Sequence, residues 1–226
     1  MLFKKIITLS LNPVADITCY VENFEPGGDI MVESELYDAA GKAVDVSRVL
    51  QSYGIANTAL IVAGEENSKR YFNRLKDENV STRVIYTEGR LRESINIVDP
   101  KGRSVRLVRK SPRLTSRAIN ELEIALSEEI EPATLVVVAG AMPEGVTDDI
   151  FCEICSFIRE NGGSIALDTK SATLENIAKI QPWVIKPNYA ELCALVGHEL
   201  NGLEEVVCAA KRLAGLGIRH VLVSLS

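Results

Sequence analysis

Short β-rich apolar runs alternate with segments of helical period along most of the chain. No other feature constrains the fold as much, because this is the pattern of a parallel sheet whose strands are joined by crossover helices. The runs Lys5–Leu11, Thr58–Val62, Thr134–Ala139, Ser164–Asp168, Trp183–Lys186 and His220–Leu225 are mostly continuous and apolar, as strands buried on both faces should be. Between them, Val46, Val49, Leu50 and Tyr53 follow an i, i+3, i+4, i+7 spacing, and Ile119, Leu122, Leu126 and Ile130 nearly repeat it. Each set predicts a helix with one core-facing stripe. With 226 residues and 46% hydrophobic side chains, the chain can bury one sizeable core. His220–Leu225 reads as a buried core strand with nothing after it to cover it, so the sequence is expected to be C-terminally incomplete.

Two stretches break the alternation. Asp16–Glu22 and Asp29–Asp38 are strand-like runs joined across Glu25-Pro-Gly-Gly28, and Arg92–Asp99 and Arg103–Arg109 are joined by the turn Asp99-Pro-Lys-Gly102. Both predict antiparallel hairpins. In the second, Ile95, Ile97, Val105 and Leu107 share a packing face, and Asn96 and Arg106 share a polar one. The expected arrangement is one α/β domain over residues 1–226, with lid strands inserted near 14–38 and 88–110 over the ligand edge of the sheet.

Charge is unevenly placed. The formal net charge is −6, which argues against a nucleic-acid or anionic-membrane partner, yet Arg83–Arg113 holds nine basic and three acidic residues. Such a strip suits a small anion such as a phosphorylated metabolite, because guanidinium groups bond phosphate oxygens bidentately. Most of its residues read equally well as solvated edge-strand charge, and Arg92 is the one favoured for function. Five cysteines without a framework spacing, and a start without a signal-peptide core, point to a cytoplasmic protein with free thiols. Cys152 and Cys155 lie within a helical pattern and read as packing, and His198 and His220 are too far apart to suggest a zinc site.

Several short motifs carry possible chemistry. Gly41-Lys42 precedes a helix whose free N–H groups could cradle a phosphate or sugar hydroxyl. Neither G-x-x-x-x-G-K-[ST] nor an early G-x-G-x-x-G occurs, which disfavours a Walker-type nucleotidase and a nicotinamide dehydrogenase. Asp16, just past the first strand, could accept hydrogen bonds from sugar hydroxyls or simply form a turn. Asn188 and Glu191 after Lys186-Pro187 have capping-box spacing, and the same two side chains could organise hydrated Mg²⁺. Asp168, at a strand end, is ambiguous in the same way.

In order along the chain, these pieces resemble the ribokinase-like (PfkB-type) carbohydrate kinases, in the branch containing 1-phosphofructokinase and tagatose-6-phosphate kinase. Thr8-Leu-Ser-Leu-Asn-Pro-Val-Ala-Asp16 is similar to the family's T-L-N-P-A-I-D, and Ala40-Gly-Lys-Ala-Val-Asp-Val-Ser-Arg48 to G-G-K-G-x-N-V-A-R. Ala139-Gly-Ala-Met-Pro-Glu-Gly145 is similar to S-G-S-L-P-P-G, Leu167-Asp-Thr169 to L-D-T, and Trp183-Val-Ile-Lys-Pro-Asn-x-x-Glu191 to W-L-I-K-P-N-x-x-E. The resemblance implies a three-layer α/β sandwich with a mainly parallel central sheet and a small β-sheet lid that often makes a dimer contact. It implies phosphoryl transfer from ATP-Mg²⁺ to a sugar-phosphate hydroxyl. Asp16, Gly41, Lys42, Asp45 and Arg92 would then lie on the substrate side, Arg92 holding the existing phosphate. Lys186, Asn188, Glu191 and Ser224 would line the nucleotide side, with Glu191 reaching the metal through water.

The departures bear on substrate and catalysis. Ala40 and Ala43 stand where the family has Gly, Asp45 where it has a sugar-binding Asn, and Ala139 and Ala141 where it has Ser. A carboxylate cannot donate as the amide does, and it repels a phosphorylated substrate. The family's G-A-G-D, source of its catalytic Asp and anion hole, does not occur in these residues. The expectation is a kinase for a ketohexose monophosphate such as fructose 1-phosphate or tagatose 6-phosphate, acting as a homodimer. A non-catalytic sugar-phosphate or nucleotide binder, or a kinase for an unphosphorylated sugar or nucleoside, are the alternatives.

Overall fold

The computed structural model describes residues 2–25 and 27–225. Its central sheet comprises β1 (Lys5–Ser10), β4 (Thr58–Gly64), β5 (Thr82–Thr87), β8 (Thr134–Ala139), β9 (Ser164–Asp168), β10 (Val184–Ile185) and β11 (His220–Val221). They lie in the order β11-β10-β9-β8-β1-β4-β5, and every neighbouring pair is parallel. A second sheet, β3-β2-β6-β7, is formed by β2 (Val14–Val21), β3 (Val32–Ala40), β6 (Arg92–Val98) and β7 (Ser104–Val108). Each predicted hairpin is present as an antiparallel pair, and β2 joins them by running parallel to β6.

Among the described residues, seven helices cover the central sheet: α1 (Lys42–Ser52), α2 (Lys69–Asp77), α3 (Ser116–Glu129), α4 (Asp148–Glu160), α5 (Leu174–Ile180), α6 (Tyr189–Val196) and α7 (Gly202–Ala214). Side chains alternate across the strands, so each face of the sheet has its own core. Ile7, Leu9, Leu60, Val62, Val136 and Val138 pack against buried residues of α3 to α7. On the opposite face, Ala59, Ile61 and Ala63 meet Val44 of α1 and Tyr71 and Leu75 of α2. This is the three-layer α/β sandwich that the resemblance implies, built on the helix-covered parallel sheet expected from the alternation. No helix among the described residues is long and apolar enough to cross a membrane.

Three expectations need correction. The buried side of α1 is Ala43, Val44 and Ser47, whereas Val49 and Tyr53 are exposed. The cause is a polar contact. Thr8, fully buried on β1, shares a 2.6 Å hydrogen bond with Ser47, so small and hydroxylated residues turn inward and the larger apolar stripe is rotated out. Second, the run after His220 contributes only two residues to the sheet, and Leu222 and Leu225 are exposed. As the edge strand, β11 has one neighbour, β10, and is packed by α7. Third, the apolar face of the second sheet packs only at its base. Ala15, Ala39 and Leu91 are buried with Tyr71 and Leu75, but Val105 and Leu107 remain open.

The two sheets meet closely at Gly64. A Cβ there would lie 2.4 Å from the backbone carbon of Arg90, so only glycine lets β4 reach the start of the second hairpin. Tyr71 adds a tie, donating its hydroxyl to the Ala40 carbonyl at 2.9 Å.

Candidate functional site

Ligands of open α/β sheets collect beyond the carboxyl ends of the strands, and the motif residues gather there. Gly41 links β3 to α1 with φ +143°, a conformation that L side chains rarely adopt. This turn places Lys42 at the first position of α1. Its ammonium donates to Asp168 Oδ1 at 2.8 Å, and Lys186 Nζ lies 3.6 Å from Oδ2 of the same carboxylate. One carboxylate therefore joins the loop before α1 to the end of β10, and the two motif lysines, Lys42 and Lys186, come together on it. The backbone N–H of Gly140 also donates to the Asp168 carbonyl at 3.0 Å, bringing in the loop after β8.

Asp16 lies on β2 opposite Asp38 of β3 and Ser94 of β6, so all three share one face of the second sheet. Arg92, opposite Val14, stands on that face one row closer to the base. Among the described residues no side-chain hydrogen bond or ion pair engages Arg92, which is half-buried. The neighbouring Arg90 and Arg109 pair with Glu93, Arg103 with Asp99, and Arg106 with Asp16. A half-buried arginine without an ion-pair partner among the described residues is suited to an anion from outside.

Asp45, on the first turn of α1, contacts Arg48 at 3.1 Å, and Arg48 also reaches Asp38 at 2.9 Å and Glu78 at 2.7 Å. Burial raises the Asp45 carboxyl above its ordinary range, and the charge of Arg48 opposes the shift. The position therefore carries a compensated charge.

On the other side, residues of the loop after β9, the end of β10, α5 and α6 enclose a cavity of ≈ 740 Å³. Thr169, Lys170, Lys186, Asn188 and Glu191 line it. Asn188 caps α6 by accepting from the Glu191 N–H at 2.8 Å, while Glu191 Oε2 accepts from the Asn188 N–H at 2.9 Å. The capping box is therefore formed, and Glu191 has an oxygen to spare: Oε1 is buried without a hydrogen-bond partner. Ser224 lies beside this turn, donating its N–H to the Pro187 carbonyl and accepting from Tyr189 N–H at 2.9 Å.

For two residues at the site the sequence leaves the role open. Asp168 was visible as a strand end, but its contact with Lys42 spans 126 residues and leaves no local signal. Arg106 sits in the basic strip, where anion binding and edge-strand charge read equally well. The Cys152/Cys155 pair is helical packing as expected, and burial pushes the Cys155 thiol up to about 12. His198 and His220 are both exposed.

The profile of a family described as pfkB family carbohydrate kinase matches residues 9–226. The 1-phosphofructokinase of Haemophilus influenzae is 28% identical over 225 residues, covering 97% of this chain and 70% of its own length. The D-tagatose-1-phosphate kinase of Bacillus licheniformis is 30% identical over 220 residues, with 97% and 71% covered. Among solved structures, phosphofructokinase-2 from Escherichia coli in complex with fructose-6-phosphate is similar with a TM-score of 0.88 at 26% identity, covering 98% of this chain and 74% of that one.

Proposed function

The chain belongs to the pfkB family of carbohydrate kinases, and on that footing we propose that it phosphorylates a hydroxyl of a ketohexose monophosphate, fructose 1-phosphate or a tagatose phosphate, with ATP as donor. The observation that carries the choice of a phosphorylated acceptor is Arg92, half-buried and without an ion-pair partner among the described residues, on the sheet face that presents Asp16. Arg92 holds the acceptor's phosphate, Asp16 accepts from its hydroxyls, and the Gly41-Lys42 turn offers N–H groups and an ammonium beside them. Relatives named for fructose and tagatose phosphates support the same class.

ATP occupies the side lined by Lys186, Asn188, Glu191 and Ser224. The unpartnered Oε1 of Glu191 fits a hydrated Mg²⁺, an ion that keeps most of its waters and takes only one or two carboxylates. Bound there, the ion would neutralise charge on the phosphoryl oxygens. Lys42 and Lys186 hold cationic charge where the two sides meet, and Asp168 fixes their positions. The second sheet acts as a lid over the acceptor. Its open apolar face, with Val105 44% and Leu107 52% exposed, pairs with a second copy of the chain.

One observation favours a second reading, a kinase for a neutral sugar or nucleoside. Asp16, Asp38 and Asp45 place three carboxylates around the acceptor side, which disfavours a dianion unless Arg92, Arg48 and Arg106 balance them. An ATP-coupled assay over fructose 1-phosphate, fructose 6-phosphate, the tagatose phosphates and the unphosphorylated sugars separates the two. Formation of a ketohexose bisphosphate, identified by mass, is the expected result. Turnover of the neutral sugars alone establishes the second reading, and turnover of nothing overturns both.

A further inference from the structure

Arg106 belongs to β7, a strand with all five residues exposed, and it is the one residue of that strand whose side chain makes a hydrogen bond among those described. Its Nε donates to Ser94 Oγ at 2.7 Å, and its Nη2 lies 3.4 Å from Asp16 Oδ1. Ser94 is 2% exposed, so the bond to Nε is a fixed brace, and the Arg106 side chain as a whole stays 59% exposed. The register explains the reach. Asp38, Asp16 and Ser94 lie in one row across the sheet; Arg106 stands opposite Asn96 in the next row and leans back over Ser94 toward Asp16.

A surface ion pair at 3.4 Å contributes little to stability, so this geometry is poorly explained as a structural device. It is better explained by charge balance in the acceptor site. Asp16 is 40% exposed and faces the space where sugar hydroxyls must enter, and a bare carboxylate there repels a phosphate dianion bound nearby on Arg92. A guanidinium held over Asp16 cancels that repulsion and keeps three of its five N–H donors for a phosphate or hydroxyl oxygen.

We propose that Arg106 is a specificity-determining residue of the acceptor site: braced by Ser94, it offsets the charge of Asp16 and joins Arg92 in selecting a phosphorylated sugar. This rests on the reading of Asp16 and Arg92 as acceptor contacts. It assigns the second hairpin a binding role beyond covering the site, since Arg92 and Arg106 come from its two strands.

Calorimetric titration with fructose 1-phosphate, and separately with ATP, tests it on the wild type and on the Arg106→Ala, Arg106→Lys and Arg92→Ala variants. Loss of one charge-assisted contact predicts that Arg106→Ala weakens fructose 1-phosphate at least about tenfold. ATP affinity should stay within about twofold, and Arg106→Lys should recover part of the loss because it restores the charge without the fork. If Arg92→Ala weakens fructose 1-phosphate while Arg106→Ala does not, the inference falls and the proposed function stands. Equal losses for ATP and fructose 1-phosphate in Arg106→Ala would show a folding role and also overturn it. Failure of the wild type to bind any ketohexose phosphate removes the phosphosugar reading, and the inference with it.

Discussion

Asp168 pairs with Lys42 at 2.8 Å and with Lys186 at 3.6 Å, so a single carboxylate sets the spacing of two cations that phosphates would share under the proposed function. All three side chains are partly exposed, and the pairs therefore contribute little to folding. Asp168→Ala is expected to cost no more than about 1 kcal/mol of unfolding free energy. In the absence of divalent metal it should tighten ATP binding by roughly threefold or more, because a competing anion has been removed. Unchanged ATP affinity by calorimetry would show that the ligand does not share these lysines. At this scale the sequence showed residue types but not partners. Lys42 could be singled out because Gly41-Lys42 precedes a helix, and the role of Arg92 came from the family resemblance. Arg106 could not, since an arginine among exposed basic residues looks the same whether its tip meets water or an aspartate 90 residues away.

The hairpins were the most legible elements, because Asp99-Pro-Lys-Gly102 combines a turn with a built-in acceptor: Asp99 takes N–H bonds from Lys101 and Arg103 at 3.0 and 2.9 Å. The central strands were nearly as clear, Thr134–Ala139 and Ser164–Asp168 being found at their predicted limits. Helix α1 was misread, because the i, i+3, i+4, i+7 rule counts hydrophobic residues and the contact that orients this helix is the Thr8–Ser47 hydroxyl pair. The apolar face of the second sheet was legible in its alternation but not in what covers it. If that face pairs with a second copy, Leu107→Glu places charge in the contact and should shift the protein from dimer to monomer in sedimentation velocity, with the melting temperature little changed because Leu107 is already 52% exposed. A wild-type protein that sediments as a monomer at micromolar concentration would remove the pairing from the account.

For the whole molecule, the alternation of strands and helices pointed to a doubly covered parallel sheet, but the order β11-β10-β9-β8-β1-β4-β5 depends on contacts between distant segments that no local pattern records. That order is what makes a site. It gathers the loops after β1, β8, β9 and β10 at one edge of the central sheet, with the ≈ 740 Å³ cavity beside the ends of β9 and β10. The net charge of −6 is unevenly divided, with cationic charge concentrated in Arg83–Arg113, the stretch that carries the second hairpin. Arg92 is the clearest part of that division, and the most direct measurement is the affinity of fructose 1-phosphate for the wild type and for Arg92→Ala by calorimetry, with fructose as the uncharged control. The account predicts binding of fructose 1-phosphate well above that of fructose, and a loss of about tenfold or more in Arg92→Ala. Equal affinities in the two proteins, or equal affinities for the two sugars, would contradict it.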